Sequence, residues 1–168
     1  MKVLGIDPGS ETLGWGVVEG ENLKYKLVDY GTVKSSPREK FSKRLLKVFE
    51  GVKAVIEKFE PDVVAVEEAF YAVNVNVAMK LGQVRGAILV LGELAGLEIA
   101  EYSPRLIKQT VVGYGNAEKH QVQEMVRLLL RLQKAPEPHD AADALAIAIC
   151  HFHHAGAQNR INLAKLKK

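Results

Sequence analysis

Four acidic side chains stand where they could jointly bind divalent metal ions. Asp7 ends the apolar run of residues 3–6, and Glu67 ends a second apolar run at residues 63–66. Asp140 and Asp143 are three residues apart at the start of a predicted helix, so they share one face of it. A carboxylate at the end of a buried strand is costly to bury alone, so each needs a partner.

Converging carboxylates repel one another, and hard divalent cations relieve that repulsion. Two unit charges ~4 Å apart repel by about 4 kcal/mol at an effective dielectric of ~20. All-oxygen ligands favour Mg²⁺ or Mn²⁺, and two such ions can clamp a phosphodiester for attack by water. Simpler roles exist for two of the acids: Asp7 could begin a turn, and Asp140 could cap a helix. Asp143, among alanine, leucine and isoleucine, fits a purely structural role less well.

The elements that must position these acids predict an α/β fold. Three strands at residues 2–7, 14–19 and 23–33 are joined by short links, which is typical of an antiparallel meander. Two further strands, at residues 63–66 and 98–102, each return through a helix and should pair in parallel. The prediction is a mixed five-stranded sheet flanked by helices, in which Asp7 and Glu67 leave the same edge.

Five helices are predicted around that sheet. Ser36 and Glu39 form a capping-box pattern before the first helix, and Asn116 is the predicted cap of the fourth. The second helix carries Gly82 and Gly86, which lower helix propensity and therefore suggest close packing against that face. The predicted bounds are 36–60, 74–95, 103–112, 116–133 and 139–154.

The chain has 168 residues and one cysteine, Cys150, which excludes an internal disulfide or a cysteine metal cluster. It begins on a strand without a signal peptide, and no apolar run is long enough to span a membrane, so we expect a cytoplasmic protein. Residues 1–155 are predicted to form one domain, followed by a basic, mobile tail at 156–168. Without the four acids, 16 acidic residues remain against 23 basic ones, a net charge of +7 that suits a polyanion.

Several other side chains could assist at such a site. Lys108 and Lys119, on either side of a glycine loop, could bind phosphates or simply be solvated. Phe70 could stack on a base or belong to the core. His139 could help activate water. The three histidines at 151, 153 and 154 lack the spacing of a helical zinc pair and are expected to be surface or helix-end residues.

Taken together, the motifs resemble the RuvC family of Holliday-junction resolvases from residue 1 to about residue 154. Any one motif is weak, but the whole series in this order is specific. The segments that carry the resemblance are Gly5-Ile-Asp7-Pro-Gly-Ser, Gly14-Trp-Gly, Val66-Glu67-Glu68-Ala-Phe70, Lys80-Leu-Gly-Gln-Val-Arg-Gly86, Lys108-Gln-Thr-Val-Val-Gly113, Glu118-Lys119 and Asp140-Ala-Ala-Asp143-Ala-Leu-Ala-Ile-Ala.

The resemblance implies a ribonuclease-H-like fold and a Mg²⁺-dependent homodimer that nicks opposing strands of a four-way DNA junction, in recombination and repair. It implies two Mg²⁺ ions, replaceable by Mn²⁺, and a branch-migration complex, RuvA and RuvB, as partners. The matching catalytic and metal positions are Asp7, Glu67, Asp140 and Asp143; the matching DNA-binding positions are Lys108, Lys119 and Phe70.

One departure concerns the glutamate pair. Glu68 stands where the family commonly has glutamine, which leaves two candidates for the metal ligand. Alternation along the strand puts Glu68 on the side opposite Glu67, and the motif alignment also favours Glu67.

Two other functions fit parts of the sequence. The opening Gly-x-Asp-x-Gly is shared with sugar-kinase and actin-like ATPases, but 168 residues are too few for their two domains. A junction-binding module without catalysis is the other alternative. The four acids argue against it, because acids facing phosphates would weaken binding.

Overall fold

The fold is built on one five-stranded mixed sheet with the strand order β3-β2-β1-β4-β5. A computed structural model describes residues 1–21, 24–68 and 74–166, with side chains described as far as residue 155. The strands are β1 (Lys2–Asp7), β2 (Thr12–Glu21), β3 (Lys24–Lys34), β4 (Val63–Glu67) and β5 (Glu98–Tyr102).

The strand pairing confirms the predicted topology. β1 pairs antiparallel with β2, and β2 pairs antiparallel with β3. β1 and β4 are parallel, as are β4 and β5. β1 is the central strand of the sheet. Because a central strand is covered on both faces, Val3, Leu4 and Ile6 are completely buried.

Five helices cover the two faces of the sheet, in the predicted order. Their bounds are α1 (Phe41–Phe59), α2 (Val75–Leu94), α3 (Pro104–Val112), α4 (Lys119–Leu129) and α5 (His139–Leu166). α3, α4 and α5 share a core with Val3, Val63 and Ala65 on one face of the sheet. α1 and α2 share the other core with Leu4, Ile6 and the alternate residues of β4.

Four predicted helix ends were wrong, one of them the end of α4, which lies at Leu129 and not at 133. The Ser36 N–H does donate to the Glu39 carboxylate, at 3.2 Å, but the two residues form a turn ahead of α1 and not its first turn. α4 is capped at Glu118, whose N–H donates to the Gln121 side chain at 2.8 Å, so Asn116 is not the cap. α5 continues to Leu166, beyond the predicted end at 154.

The contact of α5 with β1 and β2 is made by backbone atoms. A Cβ added at Gly14 would overlap the Asp140 carbonyl, and one at Gly5 would overlap the Ala144 carbonyl. The facing side of α5 is correspondingly rich in buried alanines. The helix can therefore lie directly on the two strands, which larger side chains at these positions would prevent.

α2 is packed on one side only. Val84, Ile88 and Leu91 are buried, whereas Val75, Met79 and other apolar side chains of the same helix are exposed. By length and composition alone α2 could cross a membrane, which corrects the expectation that no such segment exists. Packing on the sheet accounts for the buried apolar side chains of α2. The exposed ones would be accounted for by a partner that covers them.

Candidate active site

Asp7 and Glu67 end two neighbouring parallel strands on the same face of the sheet. Ile6 pairs with Val66, so the next residue of each strand stands side by side at the carboxyl edge. Glu67 alternates in phase with Val63 and Ala65, which face α5. Glu68 therefore points away from this face, as strand alternation predicts.

The first turn of α5 brings two more carboxylates to this edge. Gly14 is the cross-strand neighbour of Asp7, and the backbone of Asp140 lies directly over Gly14. Asp143 follows one turn later, and its side chain is 24% exposed. Because the helix touches the strand without intervening side chains, both acids reach the end of β1.

The electrostatics of these acids show that they lie close to one another. Burial first, and then the charges of Glu67, Asp143 and Asp140, raise the pKa of Asp7 to about 8. Burial and the charge of Asp143 likewise raise the pKa of Glu67 to about 7. The pKa of Asp143 is raised too, mainly by burial. Such mutual repulsion is the condition that a bound cation relieves.

Asp7, Glu67 and Asp143 share a cleft of about 230 Å³ with two lysines, Lys108 of α3 and Lys119 of α4. Lys119 Nζ lies 3.7 Å from an oxygen of Asp143. Both lysines lower the pKa of Glu67, although not enough to offset its burial. The cleft lining consists of Asp7, Glu67, Pro104, Ile107, Lys108, Lys119, Val122, Asp143 and Ala146.

The donor set of the cleft is suitable for a hard cation, although the side chains do not already enclose one. Among residues 1–21, 24–68 and 74–155, no three acidic, histidine or cysteine side chains are arranged as a finished metal cage. Lys119 instead supplies the positive charge beside Asp143. The oxygen-only donors at the strand ends still fit Mg²⁺ or Mn²⁺, which also take water ligands.

Two of the other candidates take different positions. His139 is exposed at the start of α5, and its charge slightly lowers the pKa of Asp143, so it lies near the site without lining the cleft. Phe70 lies outside the described residues. The structure thus brings Asp7, Glu67, Asp143, Lys108 and Lys119 into one cleft, with Asp140 beside it.

The expectation that His151 is at the surface was wrong. His151 is 3% exposed, and its Nδ1 lies 2.9 Å from the Tyr102 hydroxyl. Burial lowers the pKa of His151. Position 151 lies in the middle of α5, because the helix runs on to Leu166. There His151 contacts Tyr102 of β5, which is the cross-strand neighbour of Glu67.

Sequence reasoning also missed Arg44, a buried charge that fixes the loop after Asp7. Its guanidinium donates to the Ser10 carbonyl, and its Nε donates to Ser35 Oγ at 3.3 Å. Arg44 falls at helical spacing with the buried residues Val48 and Val52. That spacing was the available signal, because an arginine on an apolar helix face needs a specific partner.

Comparisons with known proteins agree on one family. The family model for crossover junction endodeoxyribonuclease RuvC matches residues 3–151. A curated protein of that name from Chloroflexus aurantiacus is 48% identical over 164 residues, covering 98% of this chain and all of the relative.

Solved structures agree as well. Thermus thermophilus RuvC in complex with a Holliday junction substrate superimposes with a TM-score of 0.87 at 42% identity, covering 92% of this chain and 94% of that one. The yeast mitochondrial Holliday junction resolvase Ydc2 gives a TM-score of 0.71 at 16% identity, covering 99% and 86% of the two chains, and supports the fold alone.

Proposed function

This chain belongs to the family of crossover junction endodeoxyribonuclease RuvC, and on that premise we propose that it resolves four-way DNA junctions by paired, symmetric nicks. The observation that carries this proposal is the cleft in which buried, mutually repelling carboxylates lie beside two lysines. Acids at such a site suit a metal-dependent nuclease, and the lysines suit its phosphate substrate.

Nucleases of this family are metal-dependent, and we assign the ligands here to Asp7, Glu67, Asp140 and Asp143. Two Mg²⁺ ions per site, replaceable by Mn²⁺, are the proposed complement. When bound, such ions polarise the phosphate and lower the pKa of a coordinated water. The support from this chain is chemical: oxygen donors only, with the pKa of Asp7 raised to about 8 by burial and neighbouring acids.

The lysines of the cleft are proposed to hold the phosphates beside the cut. Lys119 lies within ion-pair distance of Asp143, and its side chain is 74% exposed, so it can exchange this partner for DNA. Lys108, on α3, also lines the cleft and is close enough to lower the pKa of Glu67. Together they would orient the strand over the carboxylates, and Phe70 is proposed to contact the junction nearby.

A homodimer is proposed as the working unit, because two symmetric nicks need two sites in fixed relation. Its interface would be the open side of α2. A groove of about 540 Å³ between α1 and α2 is lined mostly by apolar side chains, including Phe49 and Val90. Added Cβ atoms at Gly82 and Gly86 would touch nothing within 4 Å in the single chain, so a partner helix could approach there. We further propose that the protein works with the branch-migration complex of RuvA and RuvB, and that it is cytoplasmic.

The test uses a synthetic four-way junction labelled on each strand in turn, with a linear duplex of the same sequence as the comparison substrate. Wild-type protein should give paired nicks at symmetric positions in Mg²⁺, on the junction alone. Asp7→Asn should lose cutting but still bind, because phosphate contacts dominate affinity. Equal cutting by Asp7→Asn would refute the assigned chemistry, and equal cutting of the duplex would remove the junction selectivity.

A further inference from the structure

The edge of the sheet at which Asp7 and Glu67 lie also holds the end of β3, which the proposed site does not use. β3 runs parallel to β1, because both are antiparallel to β2. Asp7 pairs with Gly14, and Gly14 pairs with Thr32, so these three residues stand at one level. Lys34 ends β3 two residues further on. The connection from β3 to α1 therefore leaves from the same edge as Asp7 and Glu67.

Four exposed basic residues, which we call the basic segment, lie at the end of β3, in this connection and in the first turn of α1: Lys34, Arg38, Lys40 and Lys43. Within the part of the chain that the structure describes, none of the four has a carboxylate within 4 Å. The acid inside the segment, Glu39, is engaged elsewhere, by Lys47 Nζ at 2.6 Å and by the Ser36 N–H. The basic segment thus presents four positive charges outside direct ion pairs, of which Lys43 is close enough to Glu39 to help lower the pKa of that acid.

Hydrogen bonds tie the backbone at the start of the basic segment to the loop after Asp7. The Ser35 N–H donates to the Glu11 carbonyl at 2.9 Å, and Ser35 Oγ donates to the Ser10 carbonyl at 3.0 Å. The buried guanidinium of Arg44 donates to the same Ser10 carbonyl. These bonds join the start of the segment to the loop that directly follows Asp7, so its backbone has a defined position relative to the carboxylates.

The position of the basic segment complements that of the two cleft lysines. Lys108 and Lys119 lie on the α3–α4 side of the acids, whereas the basic segment lies on the opposite side, beyond β2. Two strand spacings and two residues separate Asp7 from Lys34, roughly 12 Å between Cα positions. That distance corresponds to about three to four base-pair steps of a duplex.

We propose that the basic segment is a second phosphate-binding surface for the DNA substrate, on the side of the cut opposite Lys108 and Lys119. The inference rests on the proposed nuclease function and deepens it. DNA is favoured over an acidic protein because the charges continue the edge on which the scissile phosphate would lie. A DNA strand bound by both surfaces would be held on each side of the carboxylates.

The experiment compares two double variants with equal charge changes. Lys40→Gln/Lys43→Gln removes half of the basic segment. Lys24→Gln/Lys26→Gln removes two exposed lysines at the opposite edge, where β3 begins. Junction binding is measured without Mg²⁺ or other divalent metal, so that the junction is not cut, across 50–200 mM salt, because about 0.9 units of log–log slope are lost per phosphate contact. Circular dichroism verifies that both variants are folded.

The basic-segment variant should bind the junction about tenfold more weakly, with a salt slope lower by about 2, while the opposite-edge variant should stay close to wild type. A methylphosphonate placed three to five nucleotides from the cut should weaken wild type but not add to the basic-segment variant. Equal behaviour of the two variants, while wild type still binds and cuts, would overturn this inference alone. Absence of binding and cutting by wild type would overturn the proposed function instead.

Discussion

The two faces of the sheet are packed by different means. On the α5 face, glycines of β1 and β2 meet the helix backbone, and the side chains between them are mostly alanine. On the α1–α2 face, branched side chains such as Leu4, Ile6 and Val66 fill the space in the ordinary way. The first face ends in carboxylates at the edge, and the second ends in a partly uncovered helix.

The difference predicts which contacts govern the cutting reaction and which govern stability. Backbone-to-backbone contact leaves no rotamers that could relax, so the position of Asp140 over Gly14 is fixed within narrow limits. Packing by branched side chains tolerates rearrangement and contributes mainly free energy of burial. We therefore expect changes on the α5 face to affect cutting first, and changes on the other face to affect stability or assembly.

The strongest test places matched disruptions on the two faces. Gly14→Ala would push its new Cβ into the Asp140 carbonyl, displace the start of α5 and lower junction cutting by about 100-fold or more. Val64→Ala, buried on the other face, should cost roughly 1–3 kcal/mol of unfolding free energy. Its cutting rate per folded molecule should stay within a few-fold of wild type. Similar cutting by the two variants would abolish the distinction between the faces.

The second test uses the pH dependence of the metal-free protein. Because the pKa of Asp7 is raised from 3.8 to about 8 in the folded state, the folded protein binds the extra proton between these values. Stability is therefore greatest below pH 4 as far as this group is concerned, and it falls as pH rises towards 8.

We expect the melting temperature without metal to drop on the order of 5 °C between pH 5 and 8 through this group. Mg²⁺ should reverse the drop, and Asp7→Asn should make it smaller, leaving the part that comes from the raised pKa values of Glu67 and Asp143. Thermal unfolding followed by circular dichroism measures all three. A wild-type melting temperature that rises over this interval and ignores Mg²⁺ would contradict the coupling of the acids.

On the opposite face, Val90→Asp should affect assembly rather than the fold of one chain. Val90 is 56% exposed and lines the apolar groove beside Gly86. A charge there should shift a dimer to monomers in light scattering, with about tenfold weaker self-association or more, and convert paired nicks into single ones. Exposed Glu93→Gln on the same helix is the control. An unchanged molar mass would remove α2 from the interface.

The smallest effect is expected at Tyr102→Phe. The substitution removes the hydroxyl at 2.9 Å from His151 Nδ1 and leaves that buried nitrogen without this partner. The loss should be about 1–2 kcal/mol of unfolding free energy, read from urea denaturation, with cutting unaffected. The variant thus shows whether the α5 face can lose stability without losing cutting, provided that the backbone contact persists. A large loss of cutting would tie this hydrogen bond to the placement of Glu67.

The sequence patterns that proved most informative were those with a direct geometric meaning. Buried strands ending in Asp7 and Glu67 predicted a shared edge, and the three-residue spacing of Asp140 and Asp143 predicted a shared helix face. The helix starts at Ser36 and Asn116 were mispredicted, because a residue that can cap a helix can equally stabilise a turn. The burial of His151 goes with its contact to Tyr102 of β5, which the local spacing of the three histidines did not reveal.

The glycines under α5 also bear on how this protein can vary. At Gly5 and Gly14 the space for even a methyl group is occupied by main-chain atoms of another element, which no compensating side-chain change can remove. We expect a saturating substitution library to be more intolerant at these positions than at exposed Lys119. Residues without any functional group would then be the most strictly inherited part of the catalytic apparatus, and engineering of substrate choice is better directed to the lysines at its borders.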